Sequence, residues 1–184
     1  MPDRSENTCE QLLHVAGCSV KVLAHCRAVC DVALEYAQRN SLVAVNLVRE
    51  GAMLHDIGRG ASHTIMHAQL GADLLRAQGI NEEVARIVEC HTGAGLTADE
   101  CTILRLSPRD CMPHTTEEKI ITHADNLIDG RKRVTADESI ASAVHLSRKV
   151  RRRIYLLSQE VELLCSENTG TVKSVDRSIK HQKI

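Results

Sequence analysis

The stretch "MLHDIGRG", residues 53–60, sets an imidazole and a carboxylate side by side after an apolar run and closes with Gly-Arg-Gly. Working outward, "LVAVNLVREGAMLHDIG" repeats its apolar residues with helical spacing, so Ser41 reads as the cap of a helix that ends at the glycine after His-Asp. The flanks read the same way. A short helix is predicted near 8–16, and Ser19 caps a second over 20–38, with Val22, Val29 and Ala33 on one face. "SHTIMHAQLGADLLRAQG" is a further helix stopping at Gly79, and Asn81 caps "EEVARIVECH", closed by "TGAG". Thr97 with Glu100, Thr115 with Glu118 and Thr135 with Glu138 form capping boxes that open three more. A long amphipathic helix over about 148–165 repeats Val150, Ile154, Leu157, Val161 and Leu164. No stretch alternates with period 2, so the fold class is all-α: a helical bundle.

Composition bounds the function. The 184 residues are 43% hydrophobic, enough for one real core, yet only 1% aromatic, which argues against a surface of stacked aromatics for single-stranded nucleic acid. A net charge of −1 gives no global pull toward nucleic acid or membrane. The polar start "MPDRSENT" and the lack of a 20-residue apolar run predict a cytoplasmic protein that engages no membrane. Eight cysteines without a Cys-x-x-Cys pair read as reduced thiols acting as small hydrophobes, with Cys26 and Cys30, one turn apart, the best candidates for any redox or metal role.

The chemistry lies in polar residues that helical periodicity places on apolar faces. His25 shares a face with Val22 and Val29, His91 follows Ile87 and Val88, and Asp125 lies between Ile121 and Ile128. His55 and Asp56 end the third helix, and His67 comes one turn into the fourth. A single histidine in such a place is usually a hydrogen-bonded core residue, but an aspartate in an aliphatic stripe needs a cation or strong donors. Together, imidazole nitrogens and carboxylate oxygens form the ligand mixture that suits first-row divalent ions, and a bundle can project them into one cavity. Asp56, with two oxygens, is able to bridge two ions. His123, two residues from Asp125, points to the opposite face.

The order His25, His55-Asp56, Asp125 resembles the defining pattern of the HD-domain metal-dependent phosphohydrolases, in which "HDIG" is a common central element. His67 and His91 resemble the members with two metals. "HAQLGADLL", "HTG", "EEKI", "AD" and Arg131 also resemble the bacterial symmetrical diadenosine tetraphosphate hydrolases, and the connection over 93–116 resembles that of a group of small archaeal HD proteins. The resemblance spans about residues 20–135. It implies a single HD domain over 1–166 with its metal site in the bundle core; the stretch over 167–184 reads, from its polar composition, as a loosely ordered tail.

The implied activity is hydrolysis of a phosphoester or phosphoanhydride in a nucleotide or dinucleotide by metal-activated water. His25, His55, Asp56 and Asp125 would hold one ion, and Asp56, His67 and His91 a second. One or two ions are expected, iron or manganese favoured, with zinc, nickel, cobalt and magnesium as alternatives. Arg59 and Arg131 are the candidate phosphate-binding residues and Lys119 a weaker third; His63 is a candidate proton donor to the leaving group. The 93–116 connection is expected to cover the mouth of the site. "RKR" at 131–133 and "RKVRRR" at 148–153 could extend the surface to RNA, though such a run is usually a solvated face. The alternative class is a metal-containing protein that binds nucleotide or RNA phosphates with little turnover. A homodimer stays open.

Overall fold

The computed structural model describes residues 6–166. The predicted tail over 167–184 lies outside them. Nine α-helices carry the described chain: α1 (Glu6–Val15), α2 (Val20–Ala37), α3 (Val45–Leu54), α4 (His67–Ala77), α5 (Glu82–Cys90), α6 (Ala98–Ile103), α7 (Thr116–Asn126), α8 (Ala136–Ser142) and α9 (Arg148–Leu164). Turns of 3₁₀ helix follow α3 (Ile57–Gly60) and α8 (Ala143–His145). The predicted caps at Ser19 and Asn81 form, as do all three capping boxes. The fold is an all-α bundle with one small exception: β1 (Ile128–Asp129) and β2 (Lys132–Arg133) pair antiparallel around Gly130, which stands at φ 64°. No described helix is long and apolar enough to cross a membrane.

Helix α3 runs through the centre, packed between α2, α5, α1 and α7, while α9 lies along α7. The core is aliphatic, with Leu54, Ile57, Leu75, Ile87, Ile120 and Ile121 almost wholly buried. All eight cysteines are free thiols, and all but Cys18 are buried, so they pack as small hydrophobes. On α9, Ile154, Leu157 and Val161 face the core, whereas Leu164 at the fraying end is 37% exposed.

Three boundaries depart from expectation. Ser41 does not cap α3: the helix begins at Val45, and the orphan amide of Ala44 donates to Glu117 Oε1 of α7 at 2.9 Å, a tertiary cap that no local pattern could announce. Helix α3 also ends early, at Leu54. Asp56 leaves the helical region (φ −100°, ψ 15°), and the Cys18 thiol takes the Ile57 carbonyl at 3.3 Å. Helix α4 starts at His67 rather than near Ser62, because the Ser62 and Thr64 side chains bond each other and the local backbone instead.

The 93–116 connection does not cover the mouth of the site. A Leu96–Cys111 bridge closes it into a loop, and it is fastened to the far side of α4 and α5. Gln69 both donates to the Ser107 carbonyl (2.8 Å) and accepts from the Ser107 amide (3.0 Å), and Arg86 holds the carbonyls of Asp110 and Met112. Buried Glu89 gathers Arg76, Arg86 and Arg109. On the other flank, Glu100 receives Arg153 at 2.7 Å and Lys149 at 3.3 Å from α9.

Two substitutions test this packing. The glycines of the Gly-Arg-Gly exit do not supply positive φ; they permit close approach, since a Cβ on Gly58 would overlap the His67 carbonyl and one on Gly60 the Ala16 carbonyl. Gly58→Ala should therefore lower unfolding free energy by about 3 kcal/mol in denaturant titration. Glu100 sits at a pKa of about 2: partial burial raises it, and the Thr97 amide, Arg153 and Lys149 more than compensate. A folded carboxylate held below its unfolded pKa contributes stability that is complete above that value and is lost as pH falls through the folded one. Glu100→Gln should cost about 1 kcal/mol at neutral pH, and the difference from wild type should vanish between pH 4.5 and 2.

Candidate metal centre

The bundle brings all six predicted ligands together. His25 comes from the second turn of α2, His55 and Asp56 from the end of α3, His67 from the first residue of α4, His91 from the end of α5, and Asp125 from the last turn of α7. His55, Asp56, His67 and His91 are buried, and the His25 and Asp125 side chains are 17% and 22% exposed, on the open side. The rings form a chain of edge contacts, with centroids 5.2 Å apart for His25–His55 and 5.0 Å for His55–His91 and His67–His91.

Every ring is held in one tautomer. A carbonyl can only accept, so Nδ1 is the protonated nitrogen where His55 meets Ala52 O (2.8 Å), His67 meets Thr64 O (2.7 Å), His91 meets Val88 O (2.7 Å) and His25 meets Gly130 O (3.0 Å). Each ring then points its Nε2 inward. His67 Nε2 and His91 Nε2 face each other at 3.0 Å, His25 Nε2 faces Asp125 Oδ1 at 2.9 Å, and buried His55 Nε2 has no hydrogen-bond partner. Lone pairs turned on one another in a dry interior repel unless protons or a cation come between them. An Nδ1 anchored on carbonyls with Nε2 free is the arrangement of metal-ligating histidines, so the donor set fits divalent ions.

Asp56 divides the donors. Its Oδ2 lies 4.0 Å from His25 Nε2 and 3.9 Å from His55 Nε2, whereas Oδ1 lies 3.1 Å from His67 Nε2 and 3.6 Å from His91 Nε2. Asp125 Oδ1 completes the first side, 3.6 Å from His55 Nε2. Two candidate clusters emerge, His25–His55–Asp125 and His55–Asp56–His91. Burial raises the Asp56 pKa, but the imidazoles of His55, His67 and His91 overcome it and hold the group far below the carboxylate range; Asp125 is lowered in the same way by His25 and His55. Burial lowers the His91 pKa, which keeps that ring neutral and its Nε2 available.

A cavity of about 640 Å³ opens onto Asp56 and His25, and Arg59, His63 and Arg131 line it. Arg59 Nε donates to Asp56 Oδ1 at 3.0 Å, and its guanidinium also reaches the His63 carbonyl. Lys119 is elsewhere: its ammonium pairs with Glu160 of α9 at 2.8 Å and does not line this cavity. His123 turns away as expected, edge-on to Tyr36 with Nε2 3.3 Å from the phenol oxygen. Sequence reasoning missed Lys21 on the cavity wall, although its place four residues before His25 puts both on one face. It also missed Asn126, which holds the Gly93 carbonyl and so ties the His91 end of α5 to the Asp125 end of α7. No local pattern encodes that contact.

Histidine and aspartate from five helices thus meet around one cavity, an arrangement that can hold divalent metal ions. A family model described as HD domain matches residues 22–128, and the chain belongs to this family, the HD superfamily of metal-dependent phosphohydrolases, whose members hold divalent metals. An uncharacterized protein of Methanocaldococcus jannaschii is 45% identical over 154 residues, covering 80% of this chain and 91% of the relative. The tRNA (cytidine(56)-2'-O)-methyltransferase of Thermoplasma volcanium is 41% identical over 140 residues, 76% of this chain but 40% of that protein. Ribonuclease Y of Acidothermus cellulolyticus is 34% identical over 100 residues, 53% of this chain and 17% of the relative. No solved structure matches.

Loading the centre should stabilise the fold, because a cation relieves the facing lone pairs. Adding Mn²⁺ or Zn²⁺ to chelator-treated protein at about a hundredfold above Kd should raise Tm by roughly 5 °C or more, and a chelator should reverse it. An unchanged Tm would mean that protons alone satisfy the site.

Proposed function

We propose that this protein hydrolyses a phosphoester or phosphoanhydride bond of a nucleotide or dinucleotide. The observation that carries the reading is the division of Asp56, one oxygen toward His25 and His55 and the other toward His67 and His91. His25, His55, Asp56 and Asp125 would hold one divalent ion, and Asp56, His67 and His91 a second. Bound there, such ions supply Lewis acidity and lower the pKa of water. The nitrogen and oxygen donors suit several first-row ions; iron or manganese is the expected occupant, with zinc, nickel, cobalt or magnesium as alternatives.

The chain's own residues bind and orient. The four carbonyl anchors on Nδ1 keep each ring aimed without reorganisation. Arg59, steadied by Asp56, presents its remaining donors to phosphate oxygens, and Arg131 faces the same cavity from the hairpin. His63, exposed at the mouth, would hand a proton to a departing oxygen. Fully buried, the ring of His91 excludes water from the floor of the centre.

A second reading is a metal-holding protein that binds nucleotide or RNA phosphates with little turnover. It draws on the RNA-directed names of the methyltransferase and ribonuclease Y relatives, and on exposed Arg148 and Arg152 of α9, which have no carboxylate partner among the described residues.

Phosphate or nucleotide release should be measured across nucleotides, dinucleoside polyphosphates and short RNAs with Fe²⁺ or Mn²⁺. Wild type should turn over at least one of these in a metal-dependent way, and Asp56→Ala should lose about a hundredfold or more. RNA binding without metal-dependent turnover of any substrate would favour the second reading.

A further inference from the structure

Many cations on the described surface are matched by carboxylates. Arg27 pairs with Glu10, Arg49 with Glu6, Arg76 with Glu82 and Glu89, and Arg133 with Glu35. Of those left without one, as Arg148 and Arg152 of α9 also are, two stand at the mouth of the 640 Å³ cavity. Lys21 of α2 and Arg131 of the β1–β2 turn both line it, and neither has a carboxylate or hydrogen-bond partner among the described residues. They come from different elements and stand on a cavity of nucleotide size. Arg59, the third cation there, is already compensated by Asp56.

Lys21 is also in an unfavourable place. It occupies the first turn of α2, where the helix already carries partial positive charge and where no acidic residue offsets it. Sequence separation puts Lys21 on the face of His25, one turn outward along the helix from the centre. The cavity floor carries the metal ligands and Arg59, and beyond it lie two positive charges without a paired carboxylate. A monophosphate is served by the floor alone. Adjacent phosphates would bring the missing negative charge.

We infer that Lys21 and Arg131 form a second anion subsite that takes the phosphate adjacent to the one held at the centre. The substrate class is then a small molecule with a polyphosphate chain, a nucleoside di- or triphosphate or a dinucleoside polyphosphate. Val20 and Val22, on the same wall, give the nucleoside an aliphatic rather than a stacking surface, in keeping with a chain that has no Phe or Trp. The hydrolytic fate of such a ligand rests on the proposed function; its binding does not.

Calorimetry on the Mn²⁺-loaded full chain separates the two, using AMP and the non-hydrolysable β,γ-methylene analogue of ATP. Wild type should bind the analogue more tightly than AMP. Lys21→Gln and Arg131→Gln should each weaken the analogue about tenfold and AMP by less than about twofold, with Tm unchanged because both side chains are exposed and unpaired. Equal weakening of both ligands, no weakening, or no preference in wild type would overturn the subsite. A short RNA that loses as much affinity as the analogue in both variants would overturn the small-molecule class. If the selective loss is found but no substrate is turned over with any metal, the subsite stands and the hydrolase reading falls.

Discussion

A carboxylate buried in an aliphatic bundle must be met by positive charge, and Asp56 is met from two sides. The rest of the centre follows from that demand. Helix α3 stops at Leu54, which swings Asp56 off the helical path so that its two oxygens face different imidazoles. Gly58 lets this turn lie directly on the backbone of α4, bringing His67 to Oδ1. The hairpin after α7 exists at a scale of two residues per strand, yet it supplies the Gly130 carbonyl that fixes His25. Each ring is held by a backbone carbonyl rather than by a mobile side chain, so the Nε2 atoms are aimed before any ion arrives.

Much of this was legible in the chain because helical periodicity is a strong signal. His25, His91 and Asp125 stood out as polar residues on apolar faces, and all three reach the centre. The capping boxes opened the helices that carry or flank them, since Thr-x-x-Glu is a local contact between neighbours in sequence. What was not legible depends on contacts between distant segments. The start of α3 is set by Glu117, more than seventy positions away, and Lys119 is claimed by Glu160 of α9. The exit glycines read as a turn signal, but the constraint is the approach of two backbones, which sequence spacing does not encode.

The placement of the 93–116 connection shapes what the centre can receive. Fastened by Gln69, Arg86 and the Glu89 cluster to the back of α4 and α5, and by Glu100 to α9, it leaves the mouth to α2, the turn after α3 and the hairpin. The cations at that mouth are Lys21, Arg59 and Arg131.

The central claim is that Asp56 serves two ions, one on each oxygen. Anomalous diffraction from crystals grown with Mn²⁺ tests it most directly. The account predicts two peaks flanking the Asp56 carboxylate, one within reach of His25, His55 and Asp125 and the other of His67 and His91. A single peak on the first side, with His67 and His91 still facing each other across a shared proton, would contradict it.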